Sequence, residues 1–327
     1  MAIARPPFPW MGSKEKLIPF IRQMIPPDAK QFLEAFGGSG ALTLALEPRK
    51  GRLDIYNDFS NDLFNVFCCI KEKLNALTRE LKFLPIHGRT PFAFYRDIAA
   101  HETAYYKHIE EEREVLRDRT CFTEEQAQEL LRILEGRAQL FDVVRAAAFL
   151  LAMYGSFSGT GNSVGIKTID PDVIAERLQD VSRRLRSIVL ESQDALELIP
   201  KRDRIDGVIY ADPPYVDAER CYDVFFPPEN HVLLRDVLHA CKGYTILSYN
   251  DCHQVWELYQ DDFFIFSLKR ENTLAQTEGA VYGELIITNY DPRPLMNSQL
   301  DLFSPSPESK WELALVNTPR TGVLRTI

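Results

Sequence analysis

Asp212-Pro213-Pro214-Tyr215 follows the apolar run Val208-Ile209-Tyr210-Ala211 and is the most chemically pointed segment of the chain. Its order of residue types fits the methylation of an amine on a planar base, the bland alternative being a plain Pro-Pro turn after a strand. An exocyclic amino group shares its lone pair with the ring and is a poor nucleophile. A carboxylate (Asp212) and a backbone carbonyl (Pro213) accept its two N–H bonds, draw the nitrogen toward tetrahedral geometry and expose the lone pair. Pro213 and Pro214 fix φ and hold that carbonyl rigidly, while Tyr215 offers a ring for a base to stack on. A tetrad at the carboxyl end of a strand sits where doubly wound sheets bind their ligands.

A second segment, Phe32 to Gly40, ends in Phe36-Gly37-Gly38-Ser39-Gly40, and Asp58 follows the next strand-like run. Glycines let backbone approach a ligand, and an acid after the following strand grips ribose hydroxyls. The loop lacks a P-loop lysine and a full GxGxxG, which speaks against a triphosphate and weakens a nicotinamide cofactor. S-adenosylmethionine has a ribose and no phosphate, so it suits such a turn. A third segment, Trp10-Met11-Gly12-Ser13-Lys14, combines an aromatic ring with an ammonium able to attract the cofactor's carboxylate, or simply begins a surface helix.

The elements positioning these residues alternate. Residues 15–25 read as a helix, Gln31 to Ala35 as a strand and Ala41 to Leu46 as a helix. Leu53 to Tyr56 reads as a strand, and Asp62 to Lys73 as a helix. Strand-like runs return at 187–190, 207–211, 244–249, 263–268 and 284–290, with helices at 172–186 and 230–241. This is a Rossmann-like α/β sheet. Between 75 and 145 helix formers and acids dominate, which predicts a helical insertion. Past Asp291 the chain becomes rich in Pro and Ser, the composition of a flexible tail.

The net charge of −9 at pH 7 gives no bulk support for nucleic-acid binding, so any DNA footprint must be local. Candidate patches are Arg183-Arg184-Arg186, Lys201-Arg202-Arg204 and Lys269-Arg270, though such runs more often solvate an element's end. The six cysteines include no CxxC pair and fit reduced thiols. Adjacent Cys68-Cys69 reads as helix packing, and His231, His239 and His253 share no metal spacing. No early apolar run marks a signal peptide, and Ala146 to Tyr154 is too short to cross a bilayer.

Taken together, the motifs resemble the Dam-type family of N6-adenine DNA methyltransferases. The matching pieces are Phe8 to Lys14, Phe32 to Gly40, Asn57 to Leu63, Ala148 to Gly159 and Tyr210 to Tyr215, in the family's order, over about residues 6–292. The resemblance implies an S-adenosylmethionine-dependent methyltransferase sheet at 1–74 and 166–292. It also implies a helical target-recognition insert at 75–165 and leaves a tail from 293 to 327. It assigns Trp10, Lys14, Phe36, Gly38, Gly40, Asp58, Asp194 and Asp212 to the cofactor, and catalysis to Asp212, Pro213, Pro214 and Tyr215. It implies a flipped adenine in double-stranded DNA, with no metal.

Members reading GATC usually carry a lysine before the Trp, where this chain has Pro9. The hairpin Phe157–Lys167 is short and poor in Arg, the loop 275–283 lacks Lys and Arg, and Ala35 replaces a common proline. The chemistry survives these departures, and the GATC assignment does not follow. Two alternatives stay open: methylation of another planar amine (RNA adenine, cytosine N4 or protein glutamine), or a DNA- or clamp-binding module without catalysis.

Gln299-Leu300-Asp301-Leu302-Phe303 in the tail looks like the pentapeptide that binds bacterial sliding clamps, unless its apolar residues tack the tail onto the domain. The expected protein is cytoplasmic and nucleoid-associated, bacterial or phage-encoded, bound to no membrane, and a monomer or weak dimer.

Overall fold

A computed structural model describes residues 3–10, 12, 14–15, 17–83, 92–93, 95–96, 114, 123–129, 142–156, 170–216, 226–270, 283–298 and 311–320. The chain divides into two compact units, one of Met1–Ser13 with Ser60–Arg186, the other of Lys14–Phe59 with Ser187–Ile327. The division falls at 13/14, 59/60 and 186/187, so the helices flanking the expected insert group with it.

The second unit contains the sheet. Its strands are β1 (Gln31–Glu34), β2 (Leu53–Asn57), β3 (Ile188–Glu191), β4 (Gly207–Ala211), β5 (Tyr244–Asn250), β6 (Phe264–Arg270), β7 (Glu284–Thr288) and β8 (Trp311–Asn317). They lie in the order β3-β2-β1-β4-β5-β7-β6-β8. The first five pair in parallel, whereas β7 runs antiparallel to β5 and β6, and β8 antiparallel to β6. β1 and β4 are fully buried, as parallel strands covered on both faces are, β4 as an apolar run and β1 with Phe32 and Leu33 between Gln31 and Glu34.

Helices of this unit are α1 (Ile18–Met24), α2 (Ala41–Ala45), α7 (Ala195–Arg202), α8 (Pro228–Ala240), α9 (His253–Tyr259) and α10 (Arg293–Ser298). One apolar cluster joins Leu17, Ile21 and Met24 of the α1 region to Phe32, Val208, Tyr210 and Ile246. The other joins Leu198, Leu234, Leu238 and Tyr259 to Leu33, Ile209 and Leu247. Alternate strand residues thus serve opposite faces, which puts Glu34, Tyr210, Asp212 and Ser248 on the α1 side by period two. The order reverses between β1 and β4, and at such a switch point the carboxyl ends open a crevice.

The tail expectation needs correcting: 293–298 is helical, and 311–317 forms β8 with a register shift opposite Ile265/Phe266. Leu313 and Leu315 pack on the α1-side cluster, which composition alone did not signal. The pentapeptide 299–303, the hairpin 157–167 and the loop 275–282 lie outside the described residues.

The first unit holds α3 (Asn61–Glu72), α4 (Leu74–Phe83), α5 (Val143–Gly155) and α6 (Pro171–Leu185). α5 buries every residue from Arg145 to Met153. Asp142 caps its N-terminus by accepting the Arg145 N–H at 3.0 Å, and Asn65 of α3 clasps Asp142's backbone at 2.8 and 2.9 Å. Phe8 meets Phe67 and Phe149 edge-on, and Trp10 stacks on Phe149 at 6.5 Å. Burial pushes the Cys68 and Cys69 thiols up to about 11 and about 12, so both stay protonated packing groups. No described helix is long and apolar enough to cross a membrane.

Candidate active site

Two loops leave the carboxyl ends of neighbouring strands. The first begins after β1 with the glycine turn, whose backbone is shaped by side chains behind it. Gly38 and Gly40 adopt φ of 50° and 67°, a region costly for other residues. At Gly37 the restriction is spatial, because a Cβ there would lie 2.2 Å from the Tyr56 ring. The Tyr56 hydroxyl donates to the Gly38 carbonyl at 2.8 Å, and Asp58 Oδ2 accepts the Gly38 N–H at 2.7 Å.

Gly40 caps α2 without a side chain, so the helix N-terminus is served from β1: Glu34 Oε2 accepts the Thr43 N–H at 2.9 Å. Burial pushes the Glu34 carboxyl up to about 7; Thr43's hydrogen bonds oppose that rise and Asp212's charge adds to it.

The adjoining edge of the turn is tied by Asn57. Its Nδ2 donates to the carbonyls of Ala35 at 2.8 Å and Gln193 at 3.0 Å, while its Oδ1 accepts the Gln193 N–H at 2.9 Å. That carboxamide fixes the turn carrying Asp194 beside the end of β2. Asp194 is exposed and caps α7 through the Leu196 N–H at 2.8 Å. Phe36 packs edge-on against Phe226 at 5.8 Å. A glycine-rich turn, two of its glycines at positive φ, and an acid at the next strand's end fit a nucleoside with a ribose.

The second loop is the tetrad after β4. Asp212 Oδ2 lies 2.9 Å from Lys14 Nζ, and Asp212 Oδ1 accepts the Ser248 hydroxyl at 2.9 Å. Burial pushes the Asp212 carboxyl above its ordinary value, Lys14 and Ser248 pull it down, and Glu284 pushes it up. Tyr215 donates to Glu284 Oε1 at 2.9 Å, and Lys14 Nζ sits 4.7 Å from the centroid of its ring. Tyr249 packs on Tyr215 at 5.9 Å and is hydrogen-bonded from behind by His231.

Lys14 is 6% exposed, and its carbonyl accepts the Leu17 and Ile18 N–H groups that open α1. The structure therefore puts the ammonium expected at the cofactor's carboxylate on the tetrad's aspartate. Trp10 belongs to the other unit.

Sequence reasoning assigned no role to Ser248, Glu284 or Glu34. The signal available was position: Ser248-Tyr249-Asn250 ends β5 as the tetrad follows β4, and Glu284 opens β7 opposite Asn250. The basic patches largely answer their own acids. Arg183 pairs with Asp180, Lys201 with Glu197, Arg202 with Glu191 and Arg204 with Asp206, while Arg184 is buried. Among the described residues no His, Cys, Asp and Glu group could hold a metal.

A parallel-centred sheet with a glycine turn and the Asp212–Tyr215 tetrad at its switch point has the architecture of a Rossmann-like methyltransferase. A family model, D12 class N6 adenine-specific DNA methyltransferase, matches residues 10–276. The chain belongs to that family. It is an enzyme that transfers a methyl group from a donor to adenine in DNA.

Proposed function

We propose that the donor is S-adenosylmethionine and that the adenine is turned out of the duplex to meet Asp212, Pro213 and Tyr215. The carrying observation is the state of Asp212. Its carboxylate is clamped on one oxygen by Lys14 and on the other by Ser248. A carboxylate has about four acceptor positions, so the clamp leaves capacity for an N6–H.

Gly38 and Gly40 with Asp58 form the nucleoside cradle, with Phe36 and Asp194 at its sides. When bound, S-adenosylmethionine supplies a methyl group on a sulfonium. Asp212 and the Pro213 carbonyl accept the two N6–H bonds and localise the lone pair on nitrogen; Pro214 keeps that carbonyl rigid. Tyr215, its hydroxyl held by Glu284, gives the base an aromatic surface. The nitrogen gains the methyl and must then lose a proton. Asp212, whose carboxyl is raised by burial from its ordinary value, would take it. Rate acceleration comes from positioning and fixed electrostatics.

The reach of an aromatic pocket to a stacked N6 requires base flipping. The pentapeptide 299–303 would add tethering to a sliding clamp and raise the local concentration on DNA, with the protein itself acting as a monomer or weak dimer.

The test uses tritiated S-adenosylmethionine with unmethylated duplex DNA, RNA and protein, followed by nucleoside separation. Label in N6-methyladenine from DNA is the expected result. Label confined to RNA, cytosine or protein would overturn the proposal.

A further inference from the structure

Ser248 has one proton and two hydrogen-bonded neighbours. Its hydroxyl donates to Asp212 Oδ1 at 2.9 Å, and its oxygen lies 2.8 Å from the Tyr210 hydroxyl. With its proton committed to Asp212, Ser248 must accept from Tyr210. The three groups form a one-way chain, Tyr210 O–H to Ser248 O–H to the Asp212 carboxylate. Tyr210 and Ser248 are 1% and 0% exposed, where water cannot replace a lost partner. Strand geometry explains the meeting: Tyr210 and Ile246 are register partners in the parallel pair β4–β5, so Asp212 and Ser248 lie two residues further along the same face.

We propose that Ser248, backed by Tyr210, is a positioning residue that fixes the Asp212 carboxylate in the rotamer and ionisation state needed to receive the amine. The inference rests on Asp212 acting on N6 and adds what orients it. The charged and titratable groups facing Asp212 are Lys14 from the start of α1, Glu34 of β1, Tyr210 of β4, Tyr215 after it, Tyr249 of β5 and Glu284 of β7. Lys14 supplies charge to Oδ2; Ser248 supplies direction to Oδ1. A donor to the charged form holds a carboxyl down, so its removal moves the carboxyl up.

The experiment compares Ser248→Ala, Ser248→Thr and Tyr210→Phe with the wild-type full chain. Ser248→Ala is expected to lower kcat about 10- to 100-fold with cofactor Kd within about twofold. The acid limb of its pH–rate profile should move to higher pH, because turnover needs ionised Asp212. Ser248→Thr keeps the hydroxyl and should restore both. Should Ser248→Ala fail to fold, Tyr210→Phe still reads the chain, with a severalfold loss of kcat and a limb shift in the same direction. An unmoved acid limb in the folded variants, or a Thr variant as impaired as Ala, would overturn the inference.

Failure of the functional reading is separable. If wild-type protein methylates no DNA, the Asp212 carboxyl is titrated in the free enzyme by infrared difference against Asp212→Asn. A higher midpoint in Ser248→Ala or Tyr210→Phe supports the chain, and an unchanged midpoint contradicts it.

Discussion

The glycine turn after β1 and the tetrad after β4 leave neighbouring strands at the same end of the sheet, yet they are built in opposite ways. In the turn, backbone is the working surface and side chains stand behind it: Tyr56 on the Gly38 carbonyl, Asp58 on its N–H, Glu34 on the helix that follows. In the tetrad, the Asp212 and Tyr215 side chains stand beside the Pro213 carbonyl and are held by other side chains from distant sequence: Lys14, Ser248 and Glu284. The turn should therefore be intolerant of added atoms, whereas the tetrad should be intolerant of lost charge or lost donors.

The largest effect belongs to the tetrad. Asp212→Ala removes one of the two proposed acceptors of the amine and the only charged one, and turnover should fall on the order of a thousandfold or more while cofactor affinity changes less than about threefold. Single-turnover methylation beside calorimetry checks both halves. Near-normal turnover, or equal loss of binding, would erase the distinction between the two regions.

Lys14→Met keeps the stem and deletes the charge on Asp212 Oδ2. With its counter-ion gone, a buried carboxylate is destabilised and its carboxyl rises further. Turnover should fall on the order of a hundredfold, with the acid limb of the pH–rate profile moved up. An unmoved limb would show that the ion pair does not govern Asp212.

Gly37→Ala tests the turn. A methyl 2.2 Å from the Tyr56 ring forces the loop or the ring to shift, at a cost of about 1–3 kcal/mol. Cofactor Kd should rise roughly tenfold, while kcat at saturating cofactor stays within about threefold. A fall in kcat alone would mean that the turn shapes the tetrad rather than the cradle.

These regions also differ in how legible they were. The turn could be read because glycine types announce a backbone that must approach something, and because the acid of the next strand follows at a fixed offset. Asp212 to Tyr215 stood out because four consecutive residue types fit one chemical task. Their supports did not. Lys14 reaches Asp212 across 198 positions of sequence, Ser248 across 36, and Glu284 reaches Tyr215 across 69, pairings set by strand order and register. The antiparallel order β5-β7-β6 and the strand at 311–317 were hidden for a related reason. A short edge strand set in a Pro- and Ser-rich stretch owes its state to the partner β6, which local composition does not reveal.

The smallest effect is read in stability. Glu34 is raised by burial to about 7 from 4.5, so the folded state holds its proton more tightly than the unfolded chain. Folding is therefore favoured below about pH 4.5, and that contribution is lost as pH rises through about 7. Glu34→Gln keeps an acceptor for the Thr43 N–H without the charge. Its melting temperature should fall less than the wild type's between pH 5 and pH 7.5, by ~2–6 °C for ~1–3 kcal/mol. Parallel melting curves would show that Glu34 does not titrate in that window.

The central claim, that this chain places a methyl group on N6 of adenine in DNA through Asp212, is tested most directly in cells. Wild-type protein and Asp212→Ala are expressed in bacteria free of DNA methylation, and N6-methyladenine is mapped across the genome by long-read sequencing. The account predicts the mark at nearly every copy of one short sequence with the wild type and none with the variant. A genome left unmarked by the wild type, or marked equally by Asp212→Ala, would contradict it.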